Sequence, residues 1–297
     1  MRLKTDNVIP LLKWVGGKRE LLPELRRFYQ DLDFNNYFEP FFGGGSVYLD
    51  IIKLYGIDIK NRSFINDVNT DLVNLLKDVS ENPNQIIEYL HELKNDYELN
   101  DYYHIRDRFN GIDREKNIIE RYEGIKRSSS LLILNRTCFN GLYRVNKSGL
   151  FNVPSGKYKN PRLINEENIM LFSSVLPPKE NILNIDFSRI NNVEKGDLVY
   201  FDPPYQPINK TSSFTEYSGS FGEDKQLELF NFFSELDKKG VFVILSNSST
   251  EFIHELYQDF EPFRVYCSRN INSKTDGRGK VEEVVVIGKT LRKKLNL

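Results

Sequence analysis

The apolar run Leu198-Val199-Tyr200-Phe201 ends abruptly in Asp202-Pro203-Pro204-Tyr205, and this junction constrains the chain more than any other feature. The run has the length and composition of a buried strand. Each proline fixes its own φ, lacks an N–H and pushes the residue before it out of the helical region. The strand therefore leads into a stiff, extended turn. That turn holds a carboxylate, backbone carbonyls and an aromatic ring in one cluster at the carboxyl end of a strand, the place where open α/β sheets handle their ligands. A carboxylate and a carbonyl together can accept both hydrogens of an exocyclic amine while the ring stacks on the base that carries it. Taken alone, the tetrapeptide also reads as a rigid turn with a satisfied aspartate.

At 297 residues, with 39% hydrophobic and 13% aromatic side chains, the chain can form one large domain or a core with a sizeable insertion. Its longest apolar runs, Val241 to Leu245 and Leu131 to Leu134, are far short of a membrane span. The start, Met1-Arg2-Leu3-Lys4-Thr5-Asp6, lacks the apolar stretch of a signal peptide, so a cytoplasmic location is expected. Cys138 and Cys267 form no CxxC pair and have no ligand-like spacing to His91, His104 or His254. Neither a disulfide nor a metal is expected, and the histidines receive no catalytic role.

The net charge of −1 says nothing about partners, but its distribution does. No acid occurs between Glu123 and Glu166, while Lys126, Arg127, Arg136, Arg144, Lys147, Lys157, Lys159 and Arg162 all fall there. Phe139, Tyr143, Phe151 and Tyr158 are interleaved with them, as are Asn135, Asn140, Asn146 and Asn152. Cations for phosphates, with amides and guanidinium forks for base edges, are what a reader of DNA needs. A plain solvated face is the alternative reading.

Hydrophobic spacing predicts a helix over 17–31. Tyr37 to Glu39 reads as a strand entering Pro40-Phe41-Phe42-Gly43-Gly44-Gly45-Ser46, followed by a helix, a short strand Ser63 to Asp67 and another helix. This is the β-α-β pattern of a nucleotide-binding sheet, with Asp67 placed to take ribose hydroxyls. The GxGxxG fingerprint is absent, so NAD is not read here. From about 80 to 165 the pattern changes to charged helices and the basic aromatic region. Strand and helix periodicity resumes at Asn181 to Phe187. It continues through Asp197 to Phe201, a helix Glu223 to Lys239, a strand Val241 to Ser246, a helix Glu251 to Tyr257 and strands Val265 to Ser268 and Val281 to Ile287. Asn270 to Lys280 reads as a loop. The expected fold is α/β, a Rossmann-like sheet with an inserted, mainly helical DNA-recognition domain: 1–79 and 166–297 form the core and 80–165 the insertion.

Five separated motifs, in order, resemble the Dam-type DNA adenine-N6 methyltransferases of the alpha group, over nearly the whole chain. They are Lys13-Trp14-Val15-Gly16-Gly17-Lys18, Phe38 to Ser46, Ile65-Asn66-Asp67-Val68-Asn69, Asn135 to Tyr158, and Asp202-Pro203-Pro204-Tyr205 with Leu245-Ser246-Asn247-Ser248 after it. Tyr143 and Thr137 stand where family members vary. The resemblance implies S-adenosylmethionine as methyl donor, contacted by Trp14, Lys18, Asp67 and Asp202 and by Glu39, Pro40, Phe41, Gly43 and Gly45 of the glycine loop, with Asp186 and Phe187 at its adenine. It implies methylation of adenine N6 in double-stranded DNA, typically at GATC, by an enzyme expected to act as a monomer after flipping the base out of the helix. Base contacts map onto Lys13, Leu142, Arg144, Pro154 and Tyr158, with Arg136 and Asn140 beside them. Pro203, Pro204 and Tyr205 complete the catalytic set. Cytosine-N4 enzymes usually carry Ser in place of the tetrapeptide's Asp, so Asp202 favours adenine. A cytosine-N4 or RNA target, and a non-catalytic DNA-binding protein of the same fold, are the competing readings.

Overall fold

The computed structural model describes residues 7–207, 221–268 and 280–297. The expected loop Asn270 to Lys280 falls, up to residue 279, outside them. No described helix is long and apolar enough to cross a membrane. The chain groups into two compact units, one of residues 1–17, 43–61 and 67–184, the other of 18–42, 62–66 and 185–297.

The second unit is a Rossmann-like α/β sheet. Strands β1 (Tyr37–Glu39), β2 (Ser63–Asn66), β4 (Leu198–Phe201), β5 (Phe242–Ser248), β6 (Phe263–Ser268) and β7 (Lys280–Ile287) run in the order β2-β1-β4-β5-β7-β6. The short β3 (Ile182–Leu183) belongs to the first unit. Pairings β2-β1, β1-β4 and β4-β5 are parallel, while β7 is antiparallel to both its neighbours. β4 is buried along its whole length, as an apolar strand of a covered parallel sheet must be. Its core includes Phe38, Val199, Phe201, Leu229, Phe233, Val243 and Val286. From β1 the sheet extends one way to β2 and the other way to β4, so the strand order reverses between them. Crevices for ligands open at the carboxyl ends of strands at such a reversal, and Glu39-Pro40-Phe41 and Asp202-Pro203-Pro204-Tyr205 leave the sheet there. Helix α1 spans Leu22–Tyr29, shorter than the expected 17–31, because Pro23 fits only the first turn; Lys18 to Leu21 forms a turn in front of it.

The first unit is helical: α2 (Ser46–Tyr55), α3 (Thr70–Glu81), α4 (Pro83–Asn100), α5 (Tyr102–Asn110), α6 (Gly124–Thr137) and α7 (Glu166–Val175). α6 is its axis, packed on α3, α4 and α5 and buried from Ser128 to Asn135. The hydroxyls of Ser129 and Ser130 donate to carbonyls of Ile125 and Arg127 within the helix, and that of Ser128 to Asp78, which makes three buried serines tolerable. The compact units cut the chain differently from 1–79, 80–165 and 166–297, because α3 and α7 pack with the helices of the expected insertion.

Candidate active site

In the sheet unit, Asp202 stands at the end of β4. Its Oδ1 is 2.8 Å from the Lys18 ammonium and accepts a hydrogen bond from the Ser246 hydroxyl at 3.2 Å. Ser246 lies on β5 and is also bonded to the buried Tyr200 hydroxyl, at 2.8 Å. Burial raises the Asp202 pKa, and the charge of Lys18 opposes that rise. The same ammonium lies 4.5 Å from the centroid of the Tyr205 ring, within the range of a cation–π contact. The Tyr205 hydroxyl donates to Glu283 Oε2 at 2.9 Å. Burial, then the charges of Asp202 and Glu283, hold that phenol far above its ordinary pKa, so it remains a donor. The Pro204 carbonyl accepts from Gln226 at 3.0 Å, and Asn247 donates to Gln226 in turn. Pro203 is buried, and no hydrogen bond from a described residue reaches its carbonyl. The turn therefore offers one carboxylate and one carbonyl as acceptors beside an anchored ring.

The glycine loop comes directly after β1. In the first unit the Gly43 N–H donates to Asp67 Oδ2 at 2.9 Å, and the Asn69 N–H to Asp67 Oδ1 at 2.9 Å. Asn69, not Asp67, caps α3, accepting from Leu72. Burial raises the Asp67 pKa against these two hydrogen bonds, and no described cation pairs with it. A buried carboxylate with lone pairs left over and no cation suits hydroxyl donors such as those of a ribose. Gly43 has φ +49°, and a Cβ there would come within 2.9 Å of Trp14 Cδ1. The glycine is required because the indole lies directly on the loop. Gly45, at φ +69°, opens α2.

The other expected donor contacts lie in the sheet unit. Glu39 is buried and accepts from the Tyr37 hydroxyl at 2.7 Å. The Pro40 carbonyl accepts from the Asn66 amide. Phe41 packs on Phe187, with ring centroids 5.3 Å apart. Asp186 caps the turn at Phe187–Arg189; burial opposes its ionisation, but Ser188 and Lys225 outweigh that and hold its pKa low. Lys18, expected at the donor, is the partner of Asp202.

The recognition segment is assembled in the first unit around Asn135. Its side chain accepts from the Lys13 N–H at 2.8 Å and donates to the carbonyls of Lys13 and Gly141 at 2.9 and 2.8 Å. Lys13, distant in sequence, is thereby stapled beside Leu142, and its ammonium lies 5.0 Å from the Tyr158 ring. Asn140, Pro154 and Tyr158 are exposed, and Leu142 is half-buried. Arg144 Nε donates to Asn152 Oδ1 at 2.7 Å, which orients the guanidinium. Arg136 donates to the Arg162 carbonyl, and burial lowers its pKa. Sequence reading missed Glu283, Gln226 and the contact between Tyr143 and Asp71. A signal for Glu283 existed: two adjacent acids in the strand Val281 to Ile287 must point to opposite faces, so one enters the protein. His91 and His104 pair with surface acids, and His254 with Ser249. Among the described residues, no group of His, Cys, Asp or Glu is arranged to hold a metal ion.

A Rossmann-like sheet with Asp-Pro-Pro-Tyr at its strand reversal, and a helical unit carrying a basic, aromatic segment, point to a nucleic-acid methyltransferase. The chain belongs to the D12 class N6 adenine-specific DNA methyltransferases, whose family pattern matches residues 14–271. It is 38% identical over 285 residues to a type II methyltransferase of Lactococcus lactis subsp. cremoris, covering 94% of this chain and 95% of that one. A type II methyltransferase of Methanocaldococcus jannaschii is 39% identical over 285 residues, covering 91% and 95%. The DNA adenine methylase of Haemophilus influenzae is 32% identical over 284 residues, covering 94% and 93%.

Proposed function

We propose that this enzyme methylates adenine N6 within GATC in double-stranded DNA, using S-adenosylmethionine and a flipped-out target base. One observation carries the reading: the Lys18 ammonium rests on Asp202 and over the Tyr205 ring at once. The pair thus already receives a cationic nitrogen bearing hydrogens, which is what N6 becomes as it is methylated.

S-adenosylmethionine, when bound, supplies a methyl group already activated on a sulfonium. Asp67, Gly43, Gly45 and Trp14 are the residues of the first unit assigned to it. In the sheet unit they are Lys18, Glu39, Pro40, Phe41, Asp186, Phe187 and Asp202. The remaining difficulty is the nucleophile, because the N6 lone pair is delocalised into the adenine ring. N6 is also out of reach inside the duplex, so the base must leave the stack. Tyr205 stacks on the extruded base, a contact worth about 1–3 kcal/mol in comparable cases. Asp202 and the Pro203 carbonyl accept the two N6 hydrogens, favouring a pyramidal nitrogen. Asp202 also stabilises the positive charge that grows there. Lys18 must withdraw from Asp202 as the amine arrives.

Sequence reading is assigned to Lys13, Leu142, Arg144, Pro154 and Tyr158, with Asn140 and Arg136 flanking. A guanidinium fork from Arg144 onto guanine O6 and N7 is the commonest specific contact in DNA recognition. The recognition domain is proposed to span 80–165, between core segments 1–79 and 166–297, in a monomer acting in the cytoplasm. The test is plasmid DNA from cells expressing the enzyme, digested with an endonuclease blocked by adenine methylation at GATC. Protection supports the reading. Full cleavage, with N6-methyladenine present at other sites, would refute the GATC assignment.

A further inference from the structure

Tyr143 has no part in the chemistry above, yet it stands between Leu142 and Arg144 of the recognition segment. Its ring stacks on Trp14, with centroids 5.7 Å apart and planes 26° from parallel. Trp14 in turn lies on the glycine loop at Gly43 and Gly44. At its other end, the Tyr143 hydroxyl donates to Asp71 Oδ2 at 2.8 Å. Asp71 is in the first turn of α3, the helix that starts directly after Asp67 and Asn69.

Asp71 is itself held. Arg127 donates to its two carboxylate oxygens, Nε to Oδ1 at 3.0 Å and Nη2 to Oδ2 at 3.2 Å. The guanidinium stacks 3.8 Å from the Phe109 ring centroid. Phe151 contacts both Phe109 and Tyr143. One side of this group opens on a cavity of about 330 Å³ lined by Asp71, Asn74, Lys77, Phe109 and Arg127 among others. The hydrogen bonds from Arg127 and Tyr143 hold Asp71 at the edge of that cavity.

We infer that Tyr143 and Asp71 are positioning residues that tie the sequence-reading segment to the donor-binding loop, so that target DNA and methyl donor each strengthen binding of the other. The inference rests on the assignments of Asp67 to the donor and Arg144 to DNA. A residue next to the base reader is stacked on the donor loop at its ring and bonded to the donor helix at its hydroxyl. Fixing Arg144 on a base edge therefore fixes Trp14 and the start of α3, and filling the donor site fixes Tyr143. Coupling between two ligands is reciprocal, and typical values are about 5- to 150-fold in affinity.

The experiment uses the full chain, S-adenosylhomocysteine as a non-reacting donor analogue, and a duplex the wild-type enzyme is first shown to methylate. Calorimetric titration gives the analogue's Kd with and without saturating duplex; their ratio is the coupling factor. The wild type is expected to show a factor of about 5 or more. Tyr143→Phe keeps the stack on Trp14 and loses only the hydroxyl. It should bring the factor to within about twofold of one while leaving the analogue's Kd without DNA within about twofold of wild type, because no donor contact is removed. Asp71→Asn should do the same if it folds; Tyr143→Phe decides alone if it does not. A purely structural brace would instead weaken both ligands and leave their ratio intact, which would overturn the inference. So would a wild-type factor near one. Failure of the analogue to bind the wild type at all would overturn the donor assignment, and the inference with it.

Discussion

Lys18 sets its ammonium 2.8 Å from Asp202 Oδ1 while lying over the ring of Tyr205. That contact bears on pH dependence. In the proposed mechanism Asp202 must be ionised to accept a hydrogen from N6; burial raises its pKa above the ordinary 3.8 while Lys18 opposes the rise. The acid limb of the methylation rate should therefore lie above the ordinary carboxylate value. Replacing Lys18 by Met removes an influence that lowers the pKa, so the limb should move to higher pH. The pH profile of kcat/KM for the duplex, which reports the enzyme before the adenine displaces Lys18, measures both limbs. A limb that stays in place in Lys18→Met would mean that Asp202 is not the titrating acceptor.

Asp67 is expected to matter for the donor and not for DNA. Its two oxygens already hold the N–H groups of Gly43 and Asn69, and hydrogen bonds to a charged group contribute about 1.5–3 kcal/mol. Asp67→Ala should thus weaken S-adenosylmethionine binding by roughly 10- to 100-fold and leave duplex affinity in the absence of donor near wild type. Calorimetry with each ligand separately distinguishes these effects. Equal loss for both ligands would reduce Asp67 to a structural clasp of the glycine loop.

Much of the site was legible because it is local. The strand ending in Asp202-Pro203-Pro204-Tyr205, the strand ending before Asp67, and the three glycines after β1 all declare themselves through backbone constraints. The helix expected at Glu223 to Lys239 has those bounds, with Gly222 before it and Gly240, in the left-handed region, after it. Contacts between distant residues were not legible. Nothing in the sequence says that Asn135 staples Lys13 to Gly141, or that Glu283 meets Tyr205. Strand register makes the second meeting: β7 runs antiparallel to β5 and sets Glu283 opposite Ser248, at the carboxyl end of β5. Where strand and helix periodicity resumes, at 181–187, the structure has the short strand Ile182–Leu183 and then a helical turn capped by Asp186.

Gly141 offers a test of the staple. It has φ +64°, and a Cβ there would stand 2.6 Å from the Cβ of Lys13, an atom too close to the backbone to swing away. Gly141→Ala should cost about 1–3 kcal/mol from the left-handed backbone alone, lowering the melting temperature. It should also displace Lys13 from the reading segment. Methylation of duplexes changed one base pair at a time should then show a flattened sequence preference, with the Kd for donor unchanged. Retained preference at full stability would mean that the contact between Lys13 and Gly141 does not position a base reader.

The proposed mechanism turns on acceptance of an adenine N6 hydrogen by Asp202 during methyl transfer. It is tested most directly by mass spectrometry of nucleosides from duplex DNA incubated with the enzyme and saturating S-adenosylmethionine. Wild type should yield N6-methyldeoxyadenosine, and Asp202→Ala, shown to be folded and to bind duplex, should yield none above background. Methyl groups found on cytosine instead, or substantial N6-methyldeoxyadenosine from folded Asp202→Ala, would contradict the assignment.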